Sequence, residues 1–346
     1  MQGDQPLVHA LVDSGAIAQV ISGWTGIPLG KMLRDEIDTV QRLPALLGER
    51  VLGQDHALQE IGKRIKISRA RMEDPNKPIG VFLLLGPSGV GKTETALALA
   101  DTLYGGERNL ITINMSEYQE AHTVSSLKGS PPGYVGYGEG GVLTEAVRRK
   151  PYSVVLLDEV EKAHPDVLEL FFQVFDKGVL DDGEGREINF RNTVIILTSN
   201  TGTERIMQTC LNATELPTPE AIVEGLRNEL NQVFKPAFLG RLNIVPFYPV
   251  QDQILERIVA LKLERIAKRF ARNHQAELGY DEALVKAIAA RCTEVDSGAR
   301  NIDNILSQTL MPELAQRVLE RMAQDTPIER LVIELGSDGD FAYRLA

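Results

Sequence analysis

The feature that most constrains the fold of this chain is a glycine-rich octapeptide that directly follows a short apolar run. The run is Val81-Phe82-Leu83-Leu84-Leu85, and the octapeptide reads GPSGVGKT over residues 86–93. A strand that leads through G-x-x-x-x-G-K-T into a helix is typical of a phosphate-binding loop. Its glycines let backbone N–H groups face phosphate oxygens, and the helix start adds partial positive charge. The sequence therefore predicts an α/β fold that binds a nucleotide at this loop.

The side chains of the octapeptide predict ATP and Mg²⁺ as the ligands. We expect the ammonium group of Lys92 to reach the β- and γ-phosphates, and the hydroxyl of Thr93 to hold Mg²⁺. The residues predicted to contact the nucleotide in this loop are Gly86, Pro87, Ser88, Gly89, Val90, Gly91, Lys92 and Thr93.

Further short apolar runs alternate with helical patterns between about Leu46 and Tyr248. Each run is rich in branched residues, which is typical of strands that are buried on both faces of a mostly parallel sheet. Helices between the strands would cover those faces. The runs after the first are Leu110-Ile111-Thr112-Ile113-Asn114, Val154-Val155-Leu156-Leu157, Val194-Ile195-Ile196-Leu197 and Asn243-Ile244-Val245-Pro246-Phe247.

The pattern changes after Pro249 and predicts a smaller, mainly helical C-terminal domain. Asp252 is the predicted N-cap of its first helix, and a last run from Arg330 to Leu335 is a candidate strand. Two further helical patterns cover 281–291 and 300–322. The predicted organisation is a linker or lead-in at 1–30, a large ATPase domain at 31–249 and the small helical domain at 250–346.

Two acids and an amide follow predicted strands at the edge where ligands bind to parallel sheets. Asp158 and Glu159 come directly after Val154–Leu157, so Asp158 is expected to hold Mg²⁺ and Glu159 to polarise the attacking water. Asn200 ends the run Thr198-Ser199-Asn200 and has the chemistry to orient that water or a γ-phosphate oxygen. Taken alone, the acids also fit a solvated loop, and the asparagine also fits a turn.

Two arginines are candidates for stabilising the charge that develops on a transferred phosphoryl group. Arg241 precedes the last predicted strand of the sheet, and Arg300 begins a predicted helix of the C-terminal domain. A guanidinium group binds phosphate oxygens with two N–H groups at once. Each of these arginines also fits an ordinary place on a solvated surface.

The segment 129–141 has too many Gly and Pro residues for a core element and is predicted to be a loop that carries Tyr134 and Tyr137. An aromatic ring on a loop is suited to gripping a polypeptide through apolar area. The alternative is a tyrosine packed at the base of the loop, which fits Tyr137 more readily than Tyr134. A second charged, glycine-rich segment, 181–187, is predicted to be a solvated hairpin.

Composition excludes several classes of partner. The formal net charge is -11, whereas nucleic acids and anionic membranes are bound by basic surfaces, so neither is expected as a partner. No apolar run reaches membrane-spanning length, and Met1 to Ala10 lacks the features of a signal peptide. The five histidines and two cysteines show no zinc-binding spacing. These observations predict a soluble cytoplasmic protein.

Together, in this order, the motifs resemble the Clp/AAA+ unfoldases over nearly the whole chain. Trp24-Thr25-Gly26-Ile27-Pro28 resembles the linker before the second ATPase ring of ClpB-type proteins. The resemblance implies a homo-hexameric ring that hydrolyses ATP and pulls a protein client through its pore. It also implies roles for further residues: adenine contact for Val51 and Leu52, the first pore loop for Tyr134 and Val135, sensor 1 for Asn200, an arginine finger for Arg241 and sensor 2 for Arg300.

Within that family, the segments Leu43–Leu47 and Ala299–Leu306 resemble the ClpV group, the ATPases of type VI secretion. This resemblance implies the contracted secretion sheath as the client. A ClpB-like disaggregase is the nearest alternative, and a nucleotide-switched scaffold or loader is the alternative from another class. The chain lacks, between Thr203 and Lys235, the hydrophobic-Gly-hydrophobic tripeptide with which protease-linked relatives dock, so no protease ring is expected as a partner.

Overall fold

The computed structural model describes residues 33–134, 136–211, 215–292, 299–324, 326–336 and 340–345, together with residues 12, 17, 20 and 213. The predicted linker at 1–30 therefore lies almost wholly outside the described residues, as do Val135 of the predicted pore loop and Gly298.

A five-stranded parallel sheet forms the centre of the fold, as predicted from the apolar runs. Its strands are β1 (Gly80–Leu85), β2 (Leu110–Asn114), β3 (Val154–Asp158), β6 (Val194–Ser199) and β7 (Asn243–Pro246). Their order in the sheet is β2-β3-β6-β1-β7, and every neighbouring pair is parallel. All six residues of β1 and all six of β6 are buried, because helices cover both faces.

A short antiparallel hairpin interrupts the chain between β3 and β6. It consists of β4 (Val179–Asp181) and β5 (Glu187–Asn189), with Asp181 opposite Glu187. The segment predicted as a solvated hairpin is therefore the turn of this pair. Asp182 begins that turn, and its carboxylate accepts the backbone N–H groups of Glu184 over 2.9 Å and of Arg186 over 2.8 Å. Such contacts are typical of an aspartate that starts a turn.

Helices alternate with the strands and continue beyond the sheet. In chain order they are α1 (Leu33–Gly48), α2 (Asp55–Arg69), α3 (Lys92–Tyr104), α4 (Val124–Lys128), α5 (Val142–Arg149), α6 (Pro165–Lys177), α7 (Thr203–Leu211), α8 (Pro219–Val233), α9 (Pro236–Leu239), α10 (Asp252–His274), α11 (Glu282–Arg291), α12 (Arg300–Ile305) and α13 (Met311–Ala323). None of those in the described residues is both long enough and apolar enough to cross a membrane.

Helix α6 shows how local sequence sets the limits of an element. Pro165 occupies its first turn, where a missing N–H is harmless, and His164 caps it by accepting the backbone N–H of Asp166. Gly178 ends it at φ 63°, a left-handed conformation that glycine adopts without a steric penalty. An added Cβ at Gly178 would lie 2.4 Å from the carbonyl oxygen of Asn76, so the position also has no room for a side chain.

The chain divides into two compact units. The first runs from the start of the described chain to Leu85 and also contains Lys92–Thr203 and Glu215–Phe247. The second contains Gly86–Gly91, Glu204–Thr214 and the C-terminal part of the chain from Tyr248 onward.

The C-terminal part of the second unit has its own core and its own small sheet. Leu263, Leu284, Ile302 and Leu331 are among its fully buried residues. The predicted strand Arg330–Leu335 is observed as β9, flanked by β8 (Glu277–Tyr280) and β10 (Phe341–Leu345) in the order β10-β9-β8. The sequence did not predict β8 or β10, because each is short and lacks a long apolar run.

Two predicted helix boundaries in this region were inaccurate. The N-cap of α10 is Gln251, in extended conformation, and Asp252 is instead the first helical residue. As an acid in the first turn, Asp252 still interacts favourably with the helix dipole. The predicted helix over 300–322 is two helices, α12 and α13, joined by a π-helical turn over Leu306–Leu310.

Candidate ATP-hydrolysis site

The predicted phosphate-binding loop joins the end of β1 to the start of α3, which is the strand-to-helix position that its sequence predicts. Gly89 has a φ of 76° and Gly91 a φ of 105°, both in the region that residues with a Cβ rarely adopt. Replacing either glycine would strain the loop, which accounts for glycine at both positions. Helix α3 begins at Lys92, so the loop ends directly at a helix N-terminus.

Lys92 and Asn200 are brought into direct contact. The side-chain nitrogen of Lys92 donates a hydrogen bond to Oδ1 of Asn200 over 3.0 Å, although the residues lie 108 positions apart. Lys92 is 9% exposed, and Asn200 directly follows β6, the neighbour of β1 in the sheet. The two residues that the sequence assigned to the γ-phosphate therefore lie at one edge of the sheet.

Asp158 ends the adjacent strand, β3, and Glu159 directly follows it; both are held by Thr198 of β6. The Thr198 hydroxyl donates a hydrogen bond to the carboxylate of Asp158 and accepts the backbone N–H of Glu159 over 3.1 Å. Thr198 is 2% exposed, so this contact is shielded from water. The role of Thr198 was missed at the sequence level, where the only signal is a hydroxyl residue that ends an otherwise aliphatic strand.

Glu159 has an unusual backbone conformation for a residue with a side chain. Its φ is 58° and its ψ is 50°, which places it in the left-handed region. Residues with a Cβ are uncommon there and often belong to functional sites. The Glu159 carboxylate contacts the ammonium group of Lys162 over 2.8 Å, and this hydrogen bond raises the pKa of Lys162. Glu161 accepts the backbone N–H of Asn200 over 3.1 Å, which joins the segment after β3 to the end of β6.

A second network holds Arg50, which directly precedes Val51 and Leu52, the residues for which the family resemblance implies adenine contact. The guanidinium group of Arg50 bonds to Glu94 of α3 over 2.9 Å and to Glu107 over 2.7 Å. It also contacts Asp101 over 3.4 Å. Burial opposes the charge of Arg50, but the hydrogen bonds to the carboxylates outweigh it and raise the pKa of the guanidinium group. The sequence did not predict this network, whose members lie up to 57 positions apart.

Arg241 lies at the opposite edge of the sheet from Lys92 and Asn200. It comes two positions before Asn243, which pairs with Phe82 in β1, whereas the phosphate-binding loop follows Leu85. At about 3.3 Å per strand residue, roughly 16 Å of sheet separates the two positions. Arg241 is therefore remote, within this chain, from the edge of the sheet where Lys92 and Asn200 lie.

Arg300 is exposed and is the first residue of α12, as predicted. Within the second unit, the backbone N–H of the preceding Ala299 donates a hydrogen bond to the carbonyl of Gly89 over 3.2 Å.

The loop that carries the two tyrosines exposes both of them. Tyr134 is 71% exposed and Tyr137 is 52% exposed. The alternative of a tyrosine packed at the base of the loop, which fitted Tyr137 more readily, is therefore not observed. The backbone N–H of Tyr137 donates a hydrogen bond to the carbonyl of Tyr134 over 3.2 Å, so a short turn joins the two exposed residues.

The residues predicted to hold Mg²⁺ fit that ion by the chemistry of their ligand atoms. Mg²⁺ prefers hydroxyl and carboxylate oxygens, and it is usually bound by one or two protein groups together with phosphates and water. Thr93 supplies a hydroxyl in the first turn of α3, and Asp158 supplies a half-buried carboxylate at the end of β3.

Fold and site together define a nucleotide-binding α/β module with a phosphate-binding loop and an acidic strand end. Residues 77–245 match the model for the AAA domain (Cdc48 subfamily), and residues 250–330 match the model for the C-terminal, D2-small domain, of ClpB protein. The chain belongs to the Clp/ClpB-type family of AAA+ ATPases.

Relatives in that family are similar over nearly all of this chain. It is 58% identical over 346 residues to the AAA+ ATPase ClpV1 of Pseudomonas aeruginosa, covering 100% of this chain and 38% of that protein. It is 56% identical over 315 residues to the chaperone protein ClpB of Yersinia enterocolitica, covering 91% of this chain and 35% of that protein. It is 44% identical over 324 residues to the probable chaperone protein ClpB 1 of Chlorobaculum tepidum, covering 92% of this chain and 74% of that protein. The chain thus spans well under half the length of the first two.

Proposed function

We propose that this chain is the ATP-hydrolysing module of a protein-remodelling motor that works as a homo-hexameric ring. The observation that carries the proposal is the contact between Lys92 and Asn200. It lies at the edge of the sheet where β3 ends with Asp158, which Glu159 directly follows. We propose residues 31–249 as its large ATPase domain and 250–346 as its small domain. The bacterial cytoplasm, where ATP is abundant, is the compartment that we propose.

The roles that we propose for the site residues follow from their chemistry. Lys92 and the N–H groups of the loop bind the phosphates, and Val51 and Leu52 contact the adenine. Mg²⁺, held by Thr93 and Asp158, would neutralise charge on the β- and γ-phosphates. Glu159 accepts hydrogen bonds from the attacking water, and the amide of Asn200 orients that water or the γ-phosphate. Arg300 contributes a further cation on the phosphate side.

In this proposal, the Glu159 carboxylate must release Lys162 before it can bind the attacking water. This carboxylate bonds to Lys162 over 2.8 Å, and an oxygen that accepts from this ammonium group is not available to accept from water. We propose that nucleotide binding releases this pair, so that Glu159 turns to the water only when ATP is in place.

Arg241 is proposed to act on the ATP of the neighbouring subunit. The separation of roughly 16 Å between Arg241 and the phosphate-binding edge, which follows from the register of β1 and β7, supports this assignment because an arginine side chain cannot span that distance. A guanidinium group supplied across an interface stabilises the charge of the transition state and can raise the hydrolysis rate about 10³-fold or more. Hydrolysis would then require assembly.

We propose that Tyr134 and Val135 grip a protein client in the pore of the ring. The high exposure of Tyr134 on a loop rich in Gly and Pro supports this role. The client that the resemblance to the ClpV group implies is the contracted type VI secretion sheath, and aggregated protein is the client of a ClpB-like disaggregase. A nucleotide-switched scaffold is the candidate from another class. We propose no protease ring, nucleic acid or membrane as a partner.

The Tyr134→Ala variant of the full-length protein separates a motor from a switch. We expect unchanged thermal stability and basal ATP hydrolysis but loss of disassembly, because the truncated loop no longer grips the chain. Contracted sheath tubules and a heat-aggregated model enzyme are the two substrates, and the one that the unaltered protein disassembles identifies the client. Unchanged disassembly at a matched hydrolysis rate contradicts the grip assigned to Tyr134. A loss of stability typical of truncating a buried aromatic ring, about 3–5 kcal/mol, would instead favour a packing role.

A further inference from the structure

The side chain of Arg241 is held in a defined orientation by one carboxylate. Its Nε–H donates to both oxygens of Asp176 over 2.9 Å, and Nη2 donates to Oδ2 over 2.8 Å. Both residues are partly exposed, at 33% and 43% of their side chains. Paired N–H donors facing one carboxylate fix the plane of a guanidinium group as well as its position. Asp176 also raises the pKa of Arg241 by this hydrogen bonding.

The surroundings of this pair restrict the arginine further. The guanidinium carbon lies 4.9 Å from the ring centre of Phe172, one helical turn before Asp176 on α6, and Nη1 donates to the carbonyl of Ala237. A cation over a ring face is attracted by the negative charge of that face. Phe172 in turn packs against Phe238 of α9, with 5.9 Å between the ring centres. The arginine is therefore bound by a ring face, a carboxylate and a carbonyl.

The arrangement leaves donors available for a ligand. A guanidinium group has five N–H donors in a fixed fork. The contacts with Asp176 and Ala237 use three of them, on Nε, Nη2 and Nη1. Among the contacts of the described residues, one N–H on each terminal nitrogen is left, and two such donors match two oxygens of a phosphate group.

We propose that Asp176 is a positioning residue for hydrolysis at the neighbouring subunit: it orients Arg241 so that its two remaining donors meet the phosphate bound across the interface. The inference rests on the proposed action of Arg241 in trans. Asp176 itself touches neither ATP nor water. Its effect is to order a long side chain before the interface closes, which lowers the entropy cost of reaching the transition state.

The test is steady-state ATP hydrolysis by Asp176→Asn in the full-length protein. Asparagine keeps the shape but removes the negative charge and one acceptor oxygen, so the ion pair with Arg241 is lost and Nε–H can no longer donate to two oxygens. We expect kcat to fall about 10-fold or more with KM for ATP changed by less than about twofold, because a misplaced transition-state group affects the chemical step. Asp176→Glu should recover part of the loss.

Helix α6 provides a matched control. Glu169 also lies on α6, is exposed, and forms an ion pair with Lys235 at the start of the same α9 segment, but it has no contact with Arg241 among the described residues. Glu169→Gln therefore removes one ion pair between the same two elements. We expect normal kcat and KM from this variant, and similar melting temperatures for both variants.

A mixing experiment separates positioning in trans from damage within the same subunit. Subunits with Asp176→Asn have an intact site of their own, so adding Glu159→Gln subunits, which supply an intact Arg241, should restore hydrolysis above that of either variant alone. Unchanged or increased kcat in Asp176→Asn would overturn the proposal, as would failure of the mixtures. If Arg241→Ala itself hydrolyses ATP normally, the action of Arg241 in trans is wrong; if Arg241→Ala is inactive but Asp176→Asn is normal, only the role of Asp176 is wrong.

Discussion

At the scale of single residues, the proposed hydrolysis site depends on side chains that hold other side chains. Thr198 binds the carboxylate of Asp158 and the N–H of Glu159 through one hydroxyl, and Glu161 binds the backbone of Asn200. Asn200 in turn contacts Lys92. The residues proposed to carry the chemistry therefore form one connected set at the start of α3 and at the ends of β3 and β6.

Within this set, substitutions of Glu159 and of Lys92 are predicted to affect different properties, ATP hydrolysis and ATP binding. Glu159→Gln should bind ATP with nearly unchanged affinity and lose hydrolysis, because the water is no longer activated while Asp158 and Lys92 still bind Mg²⁺ and phosphate. Lys92→Ala should lose binding itself. Titration with a fluorescent ATP analogue and a phosphate-release assay measure the two properties. Normal turnover in Glu159→Gln would show that the base is another residue. The control is Glu187→Gln, at an exposed position of β5.

These residues also show what the sequence predicts at this scale. Lys92, Asp158, Glu159 and Asn200 each end or follow an apolar run, and their positions could be inferred because parallel strands share an edge. Thr198 could not be assigned, since its partners are known only once the order of β3 and β6 is known. The pair of Asp176 and Arg241 is separated by 65 positions, and no pattern in either segment indicates the other.

At the scale of elements, the loop that carries Tyr134 and the hairpin of β4 and β5 meet where three glycines pack together. The N–H of Gly183 in the hairpin turn donates to the carbonyl of Lys128 over 2.9 Å. An added Cβ on Gly183 would lie 2.5 Å from the carbonyl carbon of Gly129, and one on Gly141 would lie 2.2 Å from the carbonyl oxygen of Leu127. The backbones are too close for any side chain, so the two loops have to shift if one is introduced.

Gly183→Ala should therefore displace the base of the Tyr134 loop. We expect client disassembly by the full-length protein to fall severalfold while basal ATP hydrolysis stays within about twofold, with a stability loss of about 1–3 kcal/mol from overpacking. Gly185→Ala is the matched control in the same turn. Its φ of 80° is strained for alanine, but no atom lies within 4 Å of the added Cβ.

The comparison between these two variants decides whether the close packing of the hairpin turn against the base of the Tyr134 loop affects client disassembly. Disassembly that falls with Gly183→Ala and not with Gly185→Ala supports coupling of the hairpin to the Tyr134 loop. Equal disassembly by both variants at matched hydrolysis rates contradicts it.

The elements themselves were predictable to different degrees. The five strands of the parallel sheet were all found, because burial on both faces selects continuous runs of aliphatic residues. Strands β8 and β10 were missed, since a small sheet at the edge of a helical core needs only short, mixed segments such as Glu277–Tyr280. The π-helical turn at Leu306–Leu310 has no signal in its sequence, as its residues also suit an α-helix.

At the scale of the whole molecule, the proposed function requires the Arg241 of one subunit at the ATP site of the next. The phosphate-binding edge and Arg241 lie at opposite edges of the same sheet, and the chain belongs to the Clp/ClpB-type AAA+ ATPases. A ring built from such subunits would complete each site with the Arg241 of a neighbour. The central claim is that ATP hydrolysis at each site requires the Arg241 of the neighbouring subunit.

The most direct test of the claim is to mix Arg241→Ala and Glu159→Gln subunits of the full-length protein in varied ratios and to measure ATP hydrolysis. Each variant alone is expected to be nearly inactive, while its nucleotide affinity stays close to that of the unaltered protein. In mixed rings, an intact site of an Arg241→Ala subunit meets an intact Arg241 from a Glu159→Gln subunit. Activity should therefore rise to a maximum at intermediate ratios. Mixtures that form rings and stay as inactive as either variant alone would contradict the claim.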